Sequence, residues 1–399
     1  MNKLSIRDLE LGGKRVFIRV DFNVPLDAGR VSDGTRIRET LPTLRLAMER
    51  GARLVLASHL GRPKGKVDPK FSLAPVAAHL RELLAKPVEF AADCVGPETE
   101  AKSRALRNGE MLLLENVRYH PQEEANDEGF SRQLAALCDQ TFVCDAFGSA
   151  HRAHASVVGI TKFVKQAAAG LLMEKELAYL GKAISNPDHP FVSVLGGAKV
   201  SDKMEVIHNL MKLADAMLIG GAMAYTFLKA QGLPVGKSLV ENDKLDLARG
   251  LLAEAQSQSK KFRLLLPVDH VLAESPDSMV TKITDIAHTP DGWMGLDIGP
   301  KTVEEFRKEI STARMIVWNG PLGMFERPAF AQGTLGVARA VAAATKSGAT
   351  SIVGGGDSVA AVEEAGVASQ ISHISTGGGA SLEFLAGEKL PGVEALTNK

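Results

Sequence analysis

Two sets of residues in this 399-residue chain could do chemistry, and they are of opposite kinds. In the first half, basic and hydrogen-bonding side chains stand just beyond short apolar runs: Arg19, Asp21 and Asn23, then His59 and Arg62, then Arg118, then His151 and Arg152. Guanidinium groups grip carboxylates and phosphates through paired hydrogen bonds, so such a set suits an acid that carries a phosphate of its own. In the second half the corresponding positions are glycine: Gly196-Gly197, Gly220-Gly221, Gly320, Gly354-Gly355-Gly356 and Gly377-Gly378-Gly379. Glycine lets backbone approach a phosphate closely, and the free amides of a helix start favour negative charge. One half offers cations and the other bare amides, a contrast that fits two anionic ligands and phosphoryl transfer between them.

Several local features bear on this reading. Lys199 and Lys203, four apart after Gly196-Gly197, would share one face of a helix that begins there and would meet a phosphate chain. Asp357 is the carboxylate best placed for a magnesium ion bridging nucleotide phosphates, and is equally able to serve as a helix cap. Gly232 to Ser238, GLPVGKS, falls one residue short of a phosphate-binding loop, and Pro234 lacks an amide the cradle would need. The glycine triplets begin like a dinucleotide fingerprint but carry Val359 and Leu382 where its third glycine belongs, which disfavours a nicotinamide dehydrogenase. His151 and His154 have ligand-like spacing without a third partner, so a transition-metal site is disfavoured.

The elements that must position these residues are short apolar runs alternating with helical periodicity, the pattern of βα units around a parallel sheet. Strands are predicted at Arg15 to Val20, Arg53 to Ala57, Met111 to Leu114 and Thr141 to Cys144, then at Phe191 to Leu195, Met217 to Ile219, Met315 to Trp318, Ser351 to Val353 and His373 to Ser375. In open α/β sheets ligands bind beyond the carboxyl ends of the strands, where both sets of residues lie. A helix over Glu174 to Ile184, ahead of Asn186-Pro187, marks the passage between two domains, and the length suits two.

Composition excludes other classes. Hydrophobic residues at 45% and charged residues at 24% describe a globular protein. The 47 basic and 47 acidic side chains cancel, so no overall field favours nucleic acid or an anionic membrane surface. Three cysteines, Cys94, Cys138 and Cys144, make no disulfide framework and point to the cytoplasm. The longest uncharged run, Ala216 to Leu228, is too short to span a bilayer, and no targeting segment is expected at the start.

Eight ordered stretches resemble the phosphoglycerate kinase family: RVDFNVP (Arg19 to Pro25), SHLGRPKG (Ser58 to Gly65), LLENVRYH (Leu113 to His120), FGSAHRAHAS (Phe147 to Ser156), LGGAKVSDK (Leu195 to Lys203), NGPLGMFE (Asn319 to Glu326), GGGDS (Gly354 to Ser358) and STGGGASLEFL (Ser375 to Leu385). The resemblance implies an α/β fold of two doubly wound parallel-sheet (Rossmann-like) domains joined by a hinge helix. It places an acid-binding domain at 1–172 with the tail 386–399 packing back on it, the hinge at 173–185 and a nucleotide-binding domain at 186–385. It implies that Arg19, Asp21, Asn23, Arg36, His59, Leu60, Gly61, Arg62, Arg118 and Arg152 bind the phosphorylated glycerate. By the same resemblance Gly197, Lys199, Lys203, Gly221, Asn319, Glu326, Gly355, Gly356, Asp357 and Ser358 bind the nucleotide, with Glu326 at the ribose and Asp357 at Mg2+. Arg36, Lys199, Gly378 and Gly379 would surround the transferring group. Ser358 and Ser149 stand where the family more often has threonine, and both keep the hydroxyl.

The implied reaction is reversible phosphoryl transfer from 1,3-bisphosphoglycerate to ADP, giving 3-phosphoglycerate and ATP, by a monomer that binds neither nucleic acid nor membrane. A general base is unnecessary, because the nucleophile in the ATP-consuming direction is a carboxylate already ionised at neutral pH. The protein's task is then positioning and charge stabilisation, with hinge closure bringing the two ligands together and excluding water. The rivals are a catalytically silent nucleotide-binding relative, which would be expected to have lost one of Arg36, Lys199, Lys203 or Asp357, and another ATP:carboxylate phosphotransferase.

Overall fold

The computed structural model describes residues 2–258 and 261–399. The chain forms two compact units, one of Met1–Ala178 with Lys389–Lys399, the other of Tyr179–Glu388.

The first unit is built on β1 (Arg15–Val20), the small hairpin β2 (Leu26–Asp27) and β3 (Arg30–Val31), β4 (Arg53–Ala57), β5 (Glu89–Phe90), β6 (Met111–Leu113), β7 (Thr141–Asp145) and β8 (Gln166–Ala169). Six of these make a parallel sheet in the order β5-β6-β4-β1-β7-β8. Strands covered on both faces read as continuous apolar runs, and β1 is buried at every position from Val16 to Val20. Helices Thr35–Glu49 and Ala74–Leu84 bury Ile37, Leu41, Leu44, Val76 and Leu80 in the same core as Val16, Ile18, Leu54 and Leu56. The winding of this all-parallel sheet switches sides at β1: β4 lies on one side and β7 on the other. Such a switch point leaves a crevice at the strands' carboxyl ends.

The edge strand β8 is covered by both ends of the chain. Ser5 bridges Ala169 in parallel, and Lys3 pairs with Asn398. The Thr397 amide donates to the Ala167 carbonyl at 2.9 Å, and the Ala167 amide returns a bond to Thr397 Oγ1 at 3.1 Å.

The second unit holds β9 (Phe191–Leu195), β10 (Ala216–Ile219), β11 (Arg263–Leu265), β12 (Asp269–Ala273), β13 (Lys282–Asp285), β14 (Met294–Ile298), β15 (Met315–Asn319), β16 (Thr350–Gly354) and β17 (His373–Ile374). Its parallel sheet runs β11-β10-β9-β15-β16-β17, with the switch point between β9 and β15. Trp318, Phe306, Val337 and Val341 fill the core beneath. A separate antiparallel sheet, β13-β12-β14, was not foreseen from the sequence. The two parallel sheets bear out the expected α/β fold class.

The helix Leu171–Ser185 runs from one unit into the other. Its first turn is fixed from below by Asp145 at the end of β7, whose Oδ1 accepts the amides of Leu172 at 2.9 Å and Met173 at 3.1 Å. Burial pushes the Asp145 carboxyl up to about 6, while hydrogen bonds from Thr43 and those two amides oppose the rise.

Candidate functional site

In the first unit Asp21, Asn23, Arg36, His59, Leu60, Gly61 and Arg118 lie together beside the switch point at β1. Asp21, nearly buried, accepts a hydrogen bond from Arg36 Nη1 at 3.2 Å, and the same nitrogen donates to the Asn23 carbonyl at 3.2 Å. Asn23 Oδ1 accepts the Gly61 amide at 2.9 Å, and the Gly61 carbonyl accepts Arg118 Nη1 at 3.0 Å. Gly61 has φ +60°, and a Cβ there would lie 2.4 Å from the Phe71 ring, so both backbone and space demand glycine. Leu60 is buried, and its carbonyl accepts Asn116 Nδ2 at 2.7 Å. Asn23, Gly61 and Arg118 are thereby tied into one hydrogen-bonded corner with Asp21 and Arg36.

The corner is strongly cationic. Burial pushes the Arg118 guanidinium down to about 10, and Arg19 and then Arg152 add to that, against the attraction of Glu124. Burial first, then Arg19, Arg118, Arg36 and His154, hold His59 well below the usual histidine value, so it is neutral. Arg62 and Arg152 are exposed, and Arg152 Nε donates to His151 Nε2 at 3.2 Å.

Arg19 corrects the expectation. It is fully buried, with Nε on Ser156 Oγ at 2.8 Å, Nη1 on the Val20 carbonyl and Nη2 3.2 Å from His59 Nδ1. On a strand covered on both faces no side chain before the tip reaches an opening, so Arg19 lies behind His59 and not at the crevice.

In the second unit the glycines at the ends of β9, β10 and β15 press against one another. A Cβ on Gly196 would come 2.1 Å from the Pro321 carbonyl oxygen, and one on Gly320 2.2 Å from the Gly196 carbonyl oxygen. Their amides are not bare, which is a second correction. Gly196 donates to Asn319 O at 3.0 Å, Gly197 to Pro321 O at 2.9 Å, Gly220 to Leu195 O at 2.9 Å and Gly221 to Leu322 O at 2.9 Å, while Gly320 donates to Ser358 Oγ at 2.6 Å. Here glycine serves close packing of three strand tips. Among the glycine runs of the described residues, two open a helix directly, at Gly356–Glu364 and Gly379–Leu385, with φ of +90° at Gly355 and +53° at Gly378 just ahead of them, and a helix start leaves its first amides free of helical partners.

Lys199 and Lys203 share no helical face. The helix begins only at Met204, after bends at Gly197, Ala198 and Val200 and a 3-10 turn over Ser201–Lys203, so the two lysines fall outside its regular turns. Lys199 is exposed and makes no hydrogen bond or ion pair among the described residues. Lys203 is turned inward, donating to Asn319 O at 2.8 Å and Asn319 Oδ1 at 2.6 Å. Burial pushes its ammonium down to about 8, against the attraction of Asp357 and Asp202. Asn319 Nδ2 is buried without a partner, and a Cβ on Gly355 would stand 3.1 Å from it.

Asp357 does not cap its helix. It lies inside the first turn of Gly356–Glu364 with its carboxylate exposed, and Gly355 occupies the capping position. Asp357, Glu326, Gly197 and Gly221 line one cavity of about 320 Å³. The rest of its wall is mainly apolar and escaped the sequence reading: Tyr225, Pro267, Met294, Leu296 and Leu322, with His270 and Asp297. Much of that wall comes from β12 and β14 of the unforeseen antiparallel sheet, whose short strands range from almost wholly buried (β12) to wholly unburied (β13) and so share no periodic signal. Burial pushes Asp297 up to about 8, although the amides of Gly333 and Ile298 donate to it.

An apolar slot walled by glycine at a switch point suits a nucleotide base and sugar, and the arginine corner suits a phosphorylated acid. The phosphoglycerate kinase family model matches residues 6–388. The phosphoglycerate kinases of Koribacter versatilis and Acidobacterium capsulatum are 62% and 61% identical to this chain, in both cases over 100% of each sequence. The chain belongs to the phosphoglycerate kinase family. Among solved structures, the phosphoglycerate kinase of Coxiella burnetii is 42% identical with a TM-score of 0.88, and that of Pyrococcus horikoshii 35% identical with a TM-score of 0.85. Each comparison covers 98% of both chains. The activity of a phosphoglycerate kinase is ATP:3-phospho-D-glycerate phosphotransfer, a step of glycolysis, and its ligands are small molecules including a nucleotide. No helix among the described residues is long and apolar enough to cross a membrane.

Proposed function

We propose that the first unit grips the glycerate and the second the nucleotide, and that the residues assigned by resemblance carry the reaction, with Arg19 acting from behind. The observation that carries this division is the contrast between two switch points: a partly buried cationic corner around Arg36, His59, Gly61 and Arg118 in one unit, and a glycine-walled apolar cavity lined by Asp357 and Glu326 in the other. In the glycolytic direction an oxygen of the ADP β-phosphate attacks the acyl phosphate, the bond from phosphorus to the carboxyl oxygen breaks, and 3-phosphoglycerate leaves as a carboxylate. No proton need move at the reacting atoms, which agrees with an acid site whose one histidine is neutral. Arg36 and Lys199 supply positive charge to the transferring group, and the amides at Gly378 and Gly379 supply donors to its oxygens.

The residues present fit a magnesium ion carried with the nucleotide. Asp357 is an exposed carboxylate beside a helix start, and one such oxygen ligand together with phosphates is a usual magnesium environment. Bound there, the ion would neutralise phosphate charge; Asp357 would hold it and Lys203 would stand close by. The helix Leu171–Ser185 serves as the hinge of the expected domain arrangement, and the protein acts as a cytoplasmic monomer independent of nucleic acid.

The test is a coupled assay of ATP-dependent phosphorylation of 3-phosphoglycerate against glycerate alone, repeated with Arg62→Ala and Asp357→Ala. The expected result is activity with the phosphorylated acid only, a raised KM for the acid in Arg62→Ala with ADP affinity intact, and a raised magnesium requirement in Asp357→Ala. Lost ADP binding in Arg62→Ala, or an unchanged magnesium titration in Asp357→Ala, would contradict the assignments.

A further inference from the structure

The contact between Arg19 Nη2 and His59 Nδ1, at 3.2 Å, settles where the imidazole proton lies. A guanidinium has donors and no acceptor, so Nδ1 must present its lone pair, and in a neutral ring the proton is then on Nε2. Behind Arg19 the donors run on in order. Arg19 Nε donates to Ser156 Oγ at 2.8 Å; that hydroxyl, having accepted, turns its own hydrogen to Glu123 Oε1 at 2.6 Å; and the Ser156 amide donates to Glu123 Oε2 at 2.9 Å. Arg19, Ser156 and Glu123 are each wholly buried, so none of them touches a ligand. Both oxygens of Glu123 accept, and the buried guanidinium is held at a fixed tilt by a serine on one side and the Val20 carbonyl on another. Besides Arg19, the titratable groups that face this carboxylate among the described residues are Arg118, whose charge favours its ionised form against the burial that opposes it, the buried Cys94 thiol, and His154, with Nδ1 3.8 Å from Glu123 Oε1 and a ring that burial pushes down to about 3.

We propose that Glu123 and Ser156, acting through Arg19, are positioning residues for acid binding: they lock His59 in the tautomer that presents an N–H to the anionic ligand. The opposite tautomer would turn a lone pair toward a carboxylate or phosphate oxygen, replacing an attraction with a repulsion. The inference rests on the acid-site reading given above. It also accounts for a charge that sequence alone puts at the crevice and the fold withdraws from it: Arg19 orients the ring that reaches the ligand.

The test is nitrogen-15 NMR on protein labelled in its histidines, with the His59 signals assigned by their loss in His59→Gln. In the wild type, Nε2 carries the proton and Nδ1 has the shift of an unprotonated ring nitrogen. Glu123→Gln keeps the shape but supplies one acceptor oxygen where Ser156 uses two, and Ser156→Ala removes the link. Both variants are expected to give a tautomer mixture and to raise the KM for 3-phosphoglycerate about 10-fold, the size of one good hydrogen bond, with the KM for ATP unchanged. A wild-type proton on Nδ1 overturns the proposal, whether or not the variants fold; so do variants that keep the wild-type shifts and KM. Arg62→Ala separates the two levels. If it leaves the acid KM unchanged, the acid site itself is misplaced; if it raises that KM while Glu123→Gln and Ser156→Ala do not, only the positioning role fails.

Discussion

Lys199 and Lys203 show how one residue type in one loop can be given two tasks. Lys199 is exposed and unengaged among the described residues, free to meet charge that develops during transfer. Lys199→Ala should lower kcat by about 10² to 10³-fold with little change in KM, as for loss of a donor used mainly in the transition state; steady-state kinetics showing an unchanged kcat refute its role. Lys203 is already bound to Asn319 and titrates near pH 8. As pH rises through about 8 its cation is lost, so the KM for nucleotide should rise between about pH 7 and pH 9 in the wild type and stay flat in Lys203→Arg, which keeps its charge. The unfolded chain holds that proton up to the ordinary lysine value of 10.5, so it binds more protons than the folded form in between. The same group therefore makes stability rise with pH from about 8 to 10.5. The two lysines were indistinguishable in the sequence, because their difference comes from Asn319, a residue more than a hundred positions away that Lys203 reaches, and not from their spacing.

At the scale of elements, the strands were legible and the connections between them were not. Phe191 to Leu195 and Met315 to Trp318 read as strands because both faces are covered and every residue is apolar or small. The same covering hid the fate of Arg19, since a strand with no open face gives no sign of which polar member is withdrawn. The glycine runs were read as phosphate cradles, yet those after β9, β10 and β15 first solve a packing problem, which no single run announces. Gly320→Ala tests this directly. With φ +94° and a Cβ 2.2 Å from the Gly196 carbonyl oxygen and 2.6 Å from Lys203 Nζ, alanine must separate two strand tips and displace the lysine. It should cost more than ~2 kcal/mol in urea unfolding and weaken nucleotide binding; a variant with wild-type melting and affinity would show that the tips are not so constrained. The antiparallel sheet β13-β12-β14 stayed illegible for a different reason. Ile283 is exposed where alternation would call for burial, so the run around it carries no clean period.

For the whole molecule, each unit has one switch point in its parallel sheet, and the residues that the sequence singled out lie beyond strands in both units. Composition and periodicity do not show that the first unit is written in two pieces, Met1–Ala178 and Lys389–Lys399, with all of the second unit between them; only the family resemblance implied a returning tail. A chain ending at Glu388 should leave β8 without Thr397, and hydrogen exchange at Ala167 should then rise at least about 10-fold, the loss of roughly one buried backbone pairing; unchanged protection there would mean that the tail is dispensable. During synthesis on a ribosome that truncated state is one every copy passes through. The nascent first unit must wait, with an open sheet margin able to recruit a neighbour's strand, until the intervening polypeptide has emerged. The eleven residues Lys389–Lys399 thus act as a late seal against intermolecular pairing, and crowded polysomes are where their absence would be felt first.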